Sequence, residues 1–171
     1  LRRFALISNP ESITRDDLFL RANQLGVEVN RTDLIEKMMD SIYKKVCRPK
    51  LIQPTFIIDY PINYLPLAKR LPEDSKIVDA FQLVIGGIEL AKAFSELNDP
   101  QEQKKRLLAQ EERRAGKDKE AHPMDKDFIE MLEYGMPPAA GLGMSIDRLT
   151  MLLSDTHNIK EVILFPTMKT K

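Results

Sequence analysis

The 171-residue chain has one cysteine, Cys47, and two histidines, His122 and His157. An internal disulfide is therefore excluded, and a structural zinc site has too few ligands of the right type. A reducing, cytoplasmic setting is the expectation. Charge of one sign is not in excess: 26 basic residues balance 26 acidic ones, so no overall field draws the chain onto nucleic acid or an anionic membrane. Any RNA contact has to be local. Long apolar runs are missing as well. The opening LRRFALISNPES has a basic pair and only a short apolar run, far below the roughly 20 residues that span a bilayer. Repeats and low-complexity tracts are absent. The first residue is not Met and the pattern opens midway, so a longer polypeptide is expected to precede Leu1.

Against those absences, 43% of residues are hydrophobic, enough for one sizeable core and a single domain over residues 1–171. Thr14 is placed to cap a helix through RDDLFLRANQLG, with Asp16 and Asp17 suiting its positive end and Gly26 ending it. A second helix should start from Thr32 or Asp33 and carry Leu34, Ile35, Met38, Met39, Ile42 and Val46 on a core face until Pro49. Thr55 to Ile58, between Pro54 and Pro61, reads as a strand. A hairpin should follow, turning at Gly86-Gly87. Residues 99–114 read as a charged surface helix with Pro100 first, AGKDKEAH as a solvated loop, and Asp125 to Tyr134 as a helix stopped by Gly135. MPPAAGLGMSI returns to extended chain, a helix is expected over Asp147 to Leu153, and VILFP at 162–166 reads as a last strand. The fold class expected is α+β, an antiparallel sheet flanked by helices. Met38, Met39, Met144 and Met151 read as core filler, Cys47 as buried and inert, and both histidines as loop or cap residues.

Two segments carry the chemistry. With Gly86-Gly87 as the turn, the two-residue period puts Gln82, Val84 and Glu89 on one face, so Gln82 and Glu89 can share a ligand. Lys92, Phe94 and Glu96 fall on the other face of an unbroken strand; one site using all of them requires a β-bulge between Glu89 and Lys92. The plain alternative is the polar outer face of an antiparallel sheet. Downstream, GLGMSIDR at 141–148 joins a glycine strand, in which Gly141 and Gly143 permit close approach, to a helix start bearing Arg148. An arginine fork beside a helix N-terminus suits phosphate. The competing reading is a glycine-eased strand with Asp147 as cap and Arg148 in a surface ion pair.

LIQPTFIIDYP, PLAKR at 66–70, ELAKAFSELNDP at 89–100, EYGMPPAAGLGMSIDRLTMLL at 133–153 and EVILFP at 161–166 together resemble, in collinear order, the carboxy-terminal half of a class II lysyl-tRNA synthetase catalytic domain. GLGMSIDR is similar to the third motif of that class, and FSELNDP narrows the likeness to the lysine branch. The resemblance implies ATP-dependent activation of lysine to lysyl-adenylate and transfer to tRNA(Lys), with ATP and Mg2+ in the site and a homodimer as the complete assembly. It implies that Arg148 binds the ATP γ-phosphate and stabilises departing pyrophosphate, that Glu89 and Gln82 are metal-binding positions, and that Gly143 lines the ATP site. Glu96 would pair with the lysine ammonium, and Phe94, Lys92 and Gly141 would line the same substrate site.

The chain departs from the family pattern at several of these positions. Gln82 stands where a second metal-binding glutamate is frequent, Lys92 where asparagine is, Ala139-Ala140 where Thr-Gly is, and Leu65 where serine is. An amide offers magnesium one fewer charge. Lys92 would substitute charge attraction for an amide donor. Nothing resembles the first two class motifs or an anticodon-binding barrel, so the chain reads as half an active site. Two other expectations stay open: a paralogue that delivers lysine to a protein, and a non-catalytic binding module.

Overall fold

The computed structural model describes residues 1–72, 76–115 and 124–167. They form two compact units, one comprising Leu1–Ile57, Gln82–Ala91 and Met144–Lys171, the other Ile58–Phe81 and Lys92–Gly143. As the balance of helix and alternating strand patterns implies, the architecture is mixed, with strands β1 (Thr55–Ile57), β4 (Ala80–Ile85), β5 (Ile88–Ser95) and β6 (Ala140–Met144) neighbours in that order in the larger sheet and β2 (Tyr60–Pro61) beside β3 (Ile77–Val78) in the smaller.

The first unit starts with a short helix, α1 (Arg2–Ala5), that the sequence pattern did not announce. In α2 (Arg15–Gln24) the Thr14 hydroxyl accepts from the Asp17 amide at 3.2 Å, and Gly26 follows at φ +67°, as the cap and stop residues imply. The next helix, α3 (Ile35–Ile42), corrects two expectations. It has no side-chain cap, because the Asp33 carboxylate accepts instead from the Asn30 amide and closes the preceding turn. It also ends four residues before Val46, continuing as a π-helical turn over Tyr43–Cys47 and a 3-10 turn over Arg48–Lys50 that takes in Pro49. Leu18, Ala22, Met38, Ile42 and Cys47 are buried together with Ala5, Ile7 and Val27, one stripe from each helix.

Strand β1 (Thr55–Ile57) pairs antiparallel with β4 (Ala80–Ile85), Thr55 opposite Val84 and Ile57 opposite Gln82. The turn into β5 (Ile88–Ser95) is made by Gly86 and Gly87 at φ +59° and +76°, the doubly left-handed turn that a two-residue hairpin requires. Both glycine amides are used, donating to the Ile52 and Leu51 carbonyls at 2.9 Å. A Cβ at Gly87 would lie 3.1 Å from the Pro49 Cα, whereas one at Gly86 would meet nothing within 4 Å. Gly87→Ala is therefore expected to cost about 1–2 kcal/mol from left-handed strain alone, plus the Pro49 contact. Thermal unfolding should place it clearly below Gly86→Ala; equal melting temperatures would mean that Pro49 gives way freely.

The predicted β-bulge has a hydrogen-bond signature. The two-residue turn sets Ile85 across from Ile88, so an unbroken ladder would bring Asp79 opposite Phe94. Instead the amide of Ser95 donates to the Asp79 carbonyl at 3.0 Å, which leaves one extra residue on β5. Leu90 and Ala91 are buried in succession, breaking the alternation that β4 keeps throughout.

In the second unit β2 (Tyr60–Pro61) pairs with β3 (Ile77–Val78), and Ala68, Val78 and Ala80 form a small core against Tyr60, Ile62, Leu65 and Phe94. α4 (Pro100–Ala115) starts as expected, with the Asp99 carboxylate accepting from the amides of Gln101 and Glu102. It is less wet than its charge suggests, since Gln103, Arg106 and Leu107 are buried. In α5 (Lys126–Glu133) the Asp125 carboxylate accepts from the Phe128 amide, and Gly135 follows at φ +110°. Ile129 and Leu132 of α5 pack with Leu107. The segment AGKDKEAH lies, apart from Ala115, outside the described residues, and so does His122.

β6 (Ala140–Met144) leads into α6 (Ile146–Leu153). The cap of α6 is Ser145, whose hydroxyl accepts from the Arg148 amide at 3.2 Å, which corrects Asp147 as the capping residue. Two further expectations are corrected here. Residues 162–166 are not a strand: a 3-10 turn over Ile159–Glu161 is followed by bends, with Leu164 and Phe165 exposed and no neighbouring strand among the described residues to complete a ladder. Met144 is exposed at 45%, while Met38 and Met151 are buried as core filler. No helix among the described residues is long and apolar enough to cross a membrane.

Candidate functional site

The residues singled out from the sequence divide between the units: Gln82, Glu89 and Arg148 in the first, Lys92, Phe94, Glu96, Gly141 and Gly143 in the second.

In the first unit, Arg148 sits in the opening turn of α6, and its Nη1 donates to the backbone carbonyl of Glu89 at 2.7 Å. That bond ties the guanidinium to β5 without using the Glu89 carboxylate. The Ser145 amide donates to the Leu90 carbonyl at 3.0 Å, so the start of α6 is fixed to the same strand one residue on. Gln82 is buried, and its Oε1 accepts from the Tyr43 hydroxyl at 2.6 Å. Burial pushes the Tyr43 phenol up to about 12, with the Arg48 charge opposing and the Glu89 charge adding to the rise. The phenol therefore stays protonated, and a permanent donor, across the physiological range. Tyr43 was invisible to sequence reasoning: it continues a helical run, and only the π-turn that begins with it distinguishes the position.

In the second unit, Glu96 is held from both flanks. Its amide donates to the Ala139 carbonyl at 2.9 Å, and it forms an antiparallel bridge with Ala68. A Cβ built on Gly141 would lie 2.6 Å from Glu96 Oε1, so the carboxylate occupies the space that this glycine leaves. By contrast, a Cβ on Gly143 would meet only the Lys92 carbonyl, at 4.0 Å. The Lys92 ammonium lies 5.6 Å from the centroid of the Tyr60 ring, a cation–π distance. Phe94 packs against Ala68, Val78 and Ala80 and is half-buried. Gly141→Ala is expected to leave folding intact, because the clashing atom is the end of a flexible side chain, while displacing the carboxylate. A crystal structure of the variant beside a thermal melt should show a moved Glu96 carboxylate at an unchanged melting temperature; an unmoved carboxylate would mean that the backbone at 141 gives way instead.

A clamp behind Glu96 also escaped sequence reasoning. Arg106 of α4 donates from Nη1 to the Ala68 carbonyl at 2.6 Å and from Nε to Glu102, which also binds Arg70. Burial alone would raise the Glu102 carboxyl, but the bonds from Arg106 and Arg70 prevail and hold it below its usual range. The signal was present: Gln103, Arg106 and Leu107 follow the i, i+3, i+4 spacing of one helix face.

Residues 4–169 match the family described as tRNA synthetases class II (D, K and N). The chain belongs to that family. Among curated relatives it is 53% identical over 145 residues to a lysine–tRNA ligase of Pelotomaculum thermopropionicum, covering 85% of this chain and 29% of that protein. Against the lysine–tRNA ligase of Moorella thermoacetica it is 49% identical over 158 residues, covering 92% of this chain and 32% of the relative. Against that of Syntrophomonas wolfei it is 48% identical over 166 residues, covering 97% and 33%. The chain thus spans about a third or less of the length of these relatives. Membership of the class II family agrees with the antiparallel sheet and flanking helices, and with an incomplete catalytic domain.

Proposed function

We propose that the complete protein is a lysine–tRNA ligase, activating lysine with ATP to lysyl-adenylate and transferring it to tRNA(Lys), and that residues 1–171 belong to its catalytic domain. The observation that carries this reading is the carboxylate of Glu96, seated over Gly141 on a backbone bonded to Ala139 and bridged to Ala68, in a chain whose relatives bear that name. A fixed anion selects a side chain that ends in a cation, because a substrate lacking the amine leaves the carboxylate without its partner. Phe94 would line the stem of the lysine, and Lys92 would attract its carboxylate.

Arg148 is the group assigned to the ATP phosphates. From the first turn of α6 its guanidinium would act with helix amides on anionic oxygens. A Cβ on Gly143 would meet only the Lys92 carbonyl, at 4.0 Å, which supports its assignment to close approach of a nucleotide.

For magnesium, Glu89 supplies the one carboxylate among the residues assigned to the nucleotide, and the only ligating oxygen of Gln82 already accepts from Tyr43. This donor set fits an ion that arrives on ATP, since magnesium often takes one or two carboxylates and completes its shell with phosphates and water. When bound, the ion would neutralise phosphate charge. Activation needs no protein nucleophile, because the lysine carboxylate attacks the α-phosphorus; the protein aligns the reactants. A cytoplasmic homodimer is the form we assign to the complete enzyme.

Lysine-dependent exchange of labelled pyrophosphate into ATP by the complete protein tests the reading. Exchange with lysine and not with ornithine or arginine supports it; no exchange with any amino acid points to a non-catalytic module. Transfer from the adenylate to tRNA(Lys) then separates the ligase from a paralogue that modifies a protein.

A further inference from the structure

We infer that Arg106 is a positioning residue for lysine recognition, holding Glu96 in place through the segment Pro66–Arg70. This rests on the role of Glu96 proposed above, and every group involved lies in the second unit.

The path is short and continuous. The Arg106 guanidinium is buried, 9% exposed, a costly place for a charge, and two of its three nitrogens have partners while Nη2 has none among the described residues. Nε and Nη1 are committed in different directions: Nε donates to Glu102 at 2.8 Å, while Nη1 donates to the Ala68 carbonyl at 2.6 Å and approaches the Pro66 carbonyl at 3.4 Å. Glu102 in turn binds Arg70, so both ends of the Pro66–Arg70 segment are tied to α4. The segment carries little regular structure of its own; Ala68 and Arg70 form only isolated bridges. Its other side is laid along the end of β5, with the Lys69 amide donating to the Ser95 carbonyl at 2.7 Å and the Leu97 amide to the Leu67 carbonyl at 2.9 Å. Glu96 sits between those two bonds, bridged to Ala68. The carbonyl that Arg106 grips most closely therefore belongs to the residue paired with Glu96.

A backbone pinned in this way limits where the Glu96 carboxylate can lie. The carboxylate occupies the space left by Gly141, so movement of the Ala68 strip would draw it out of that space. The charge on Arg106 is used for geometry: its bonds go to two backbone carbonyls and one carboxylate. Arg106→Met would keep the bulk and apolar packing but release the Ala68 carbonyl, while Pro66 stays bonded to Gln103 at 3.3 Å.

The test uses the complete protein and three variants: Arg106→Met, Arg106→Lys and, as a control outside the clamp, Lys104→Met. Lysine and ATP binding are titrated separately by calorimetry, and amide hydrogen exchange is followed without ligands. Arg106→Met should speed exchange at Lys69 and Leu97 at least tenfold, weaken lysine binding about tenfold and leave ATP binding within twofold. Arg106→Lys should recover part of the lysine affinity, and Lys104→Met should behave as the parent. Unchanged exchange at Lys69 and Leu97 in Arg106→Met overturns the inference, as does an equal loss of lysine and ATP binding with a lowered melting temperature, which marks general destabilisation. Should the parent protein bind no lysine while Arg106→Met still frees those amides, the ligase reading fails and the clamp stands as a structural one.

Discussion

Glu96→Gln in the complete protein is expected to weaken lysine binding by about 2–4 kcal/mol, roughly 30-fold to 1000-fold. The substitution keeps volume and hydrogen-bonding capacity but removes the charge proposed to face the substrate ammonium. Its amide bond to Ala139 and its bridge to Ala68 do not depend on that charge, so the fold should be unaffected. Lysine-dependent pyrophosphate exchange should show the loss chiefly in the lysine KM, with the ATP KM unchanged. A second readout sharpens the expectation: norleucine, which lacks the amine, should be discriminated against far less by the variant than by the parent. Retention of full discrimination would falsify the assignment of Glu96.

Arg148→Ala should lower the rate of adenylate formation about 100-fold to 1000-fold, the range found when a preorganised donor to a developing negative charge is removed. The parent side chain spends one donor, Nη1, on the Glu89 carbonyl, a bond that aims the fork from the first turn of α6. Lysine at 148 should restore little, because a single ammonium cannot both hold that carbonyl and present two parallel donors. Single-turnover adenylate formation separates this from weaker ATP binding. A variant that matches the parent in the chemical step would remove Arg148 from it and leave phosphate binding as its remaining role.

The elements that the sequence made legible share a cause: each is written by local chemistry. Thr14, Asp99 and Asp125 announce helix starts because a short polar side chain reaches the amides just ahead of it. Gly86-Gly87 announces a hairpin because both residues need φ above zero. The bulge on β5 was legible by a longer route, from the demand that polar residues of different parity face the same way. What escaped was set by tertiary partners. Leu34 instead of Asp33 precedes α3 because the Asp33 carboxylate is used one turn earlier. VILFP has the composition of a strand, but strand identity requires a neighbour, and Val162 lies in the right-handed helical region instead. In the candidate site, the residue types were readable from motifs, whereas Tyr43 and Arg106 contact their targets across 39 and 38 positions of chain. No local pattern encodes such a contact.

The bond between Tyr43 and Gln82 bears on how this position changes over generations. A phenol that keeps its proton to about pH 12 can donate to an amide oxygen or, more strongly, to a carboxylate oxygen. Codons for glutamine and glutamate differ by one base, so the exchange is within reach of a single mutational event, and the hydroxyl meets either product with a bond already aimed. Neutral and anionic versions of the pocket are therefore neighbours on the evolutionary landscape, separated by charge and not by shape.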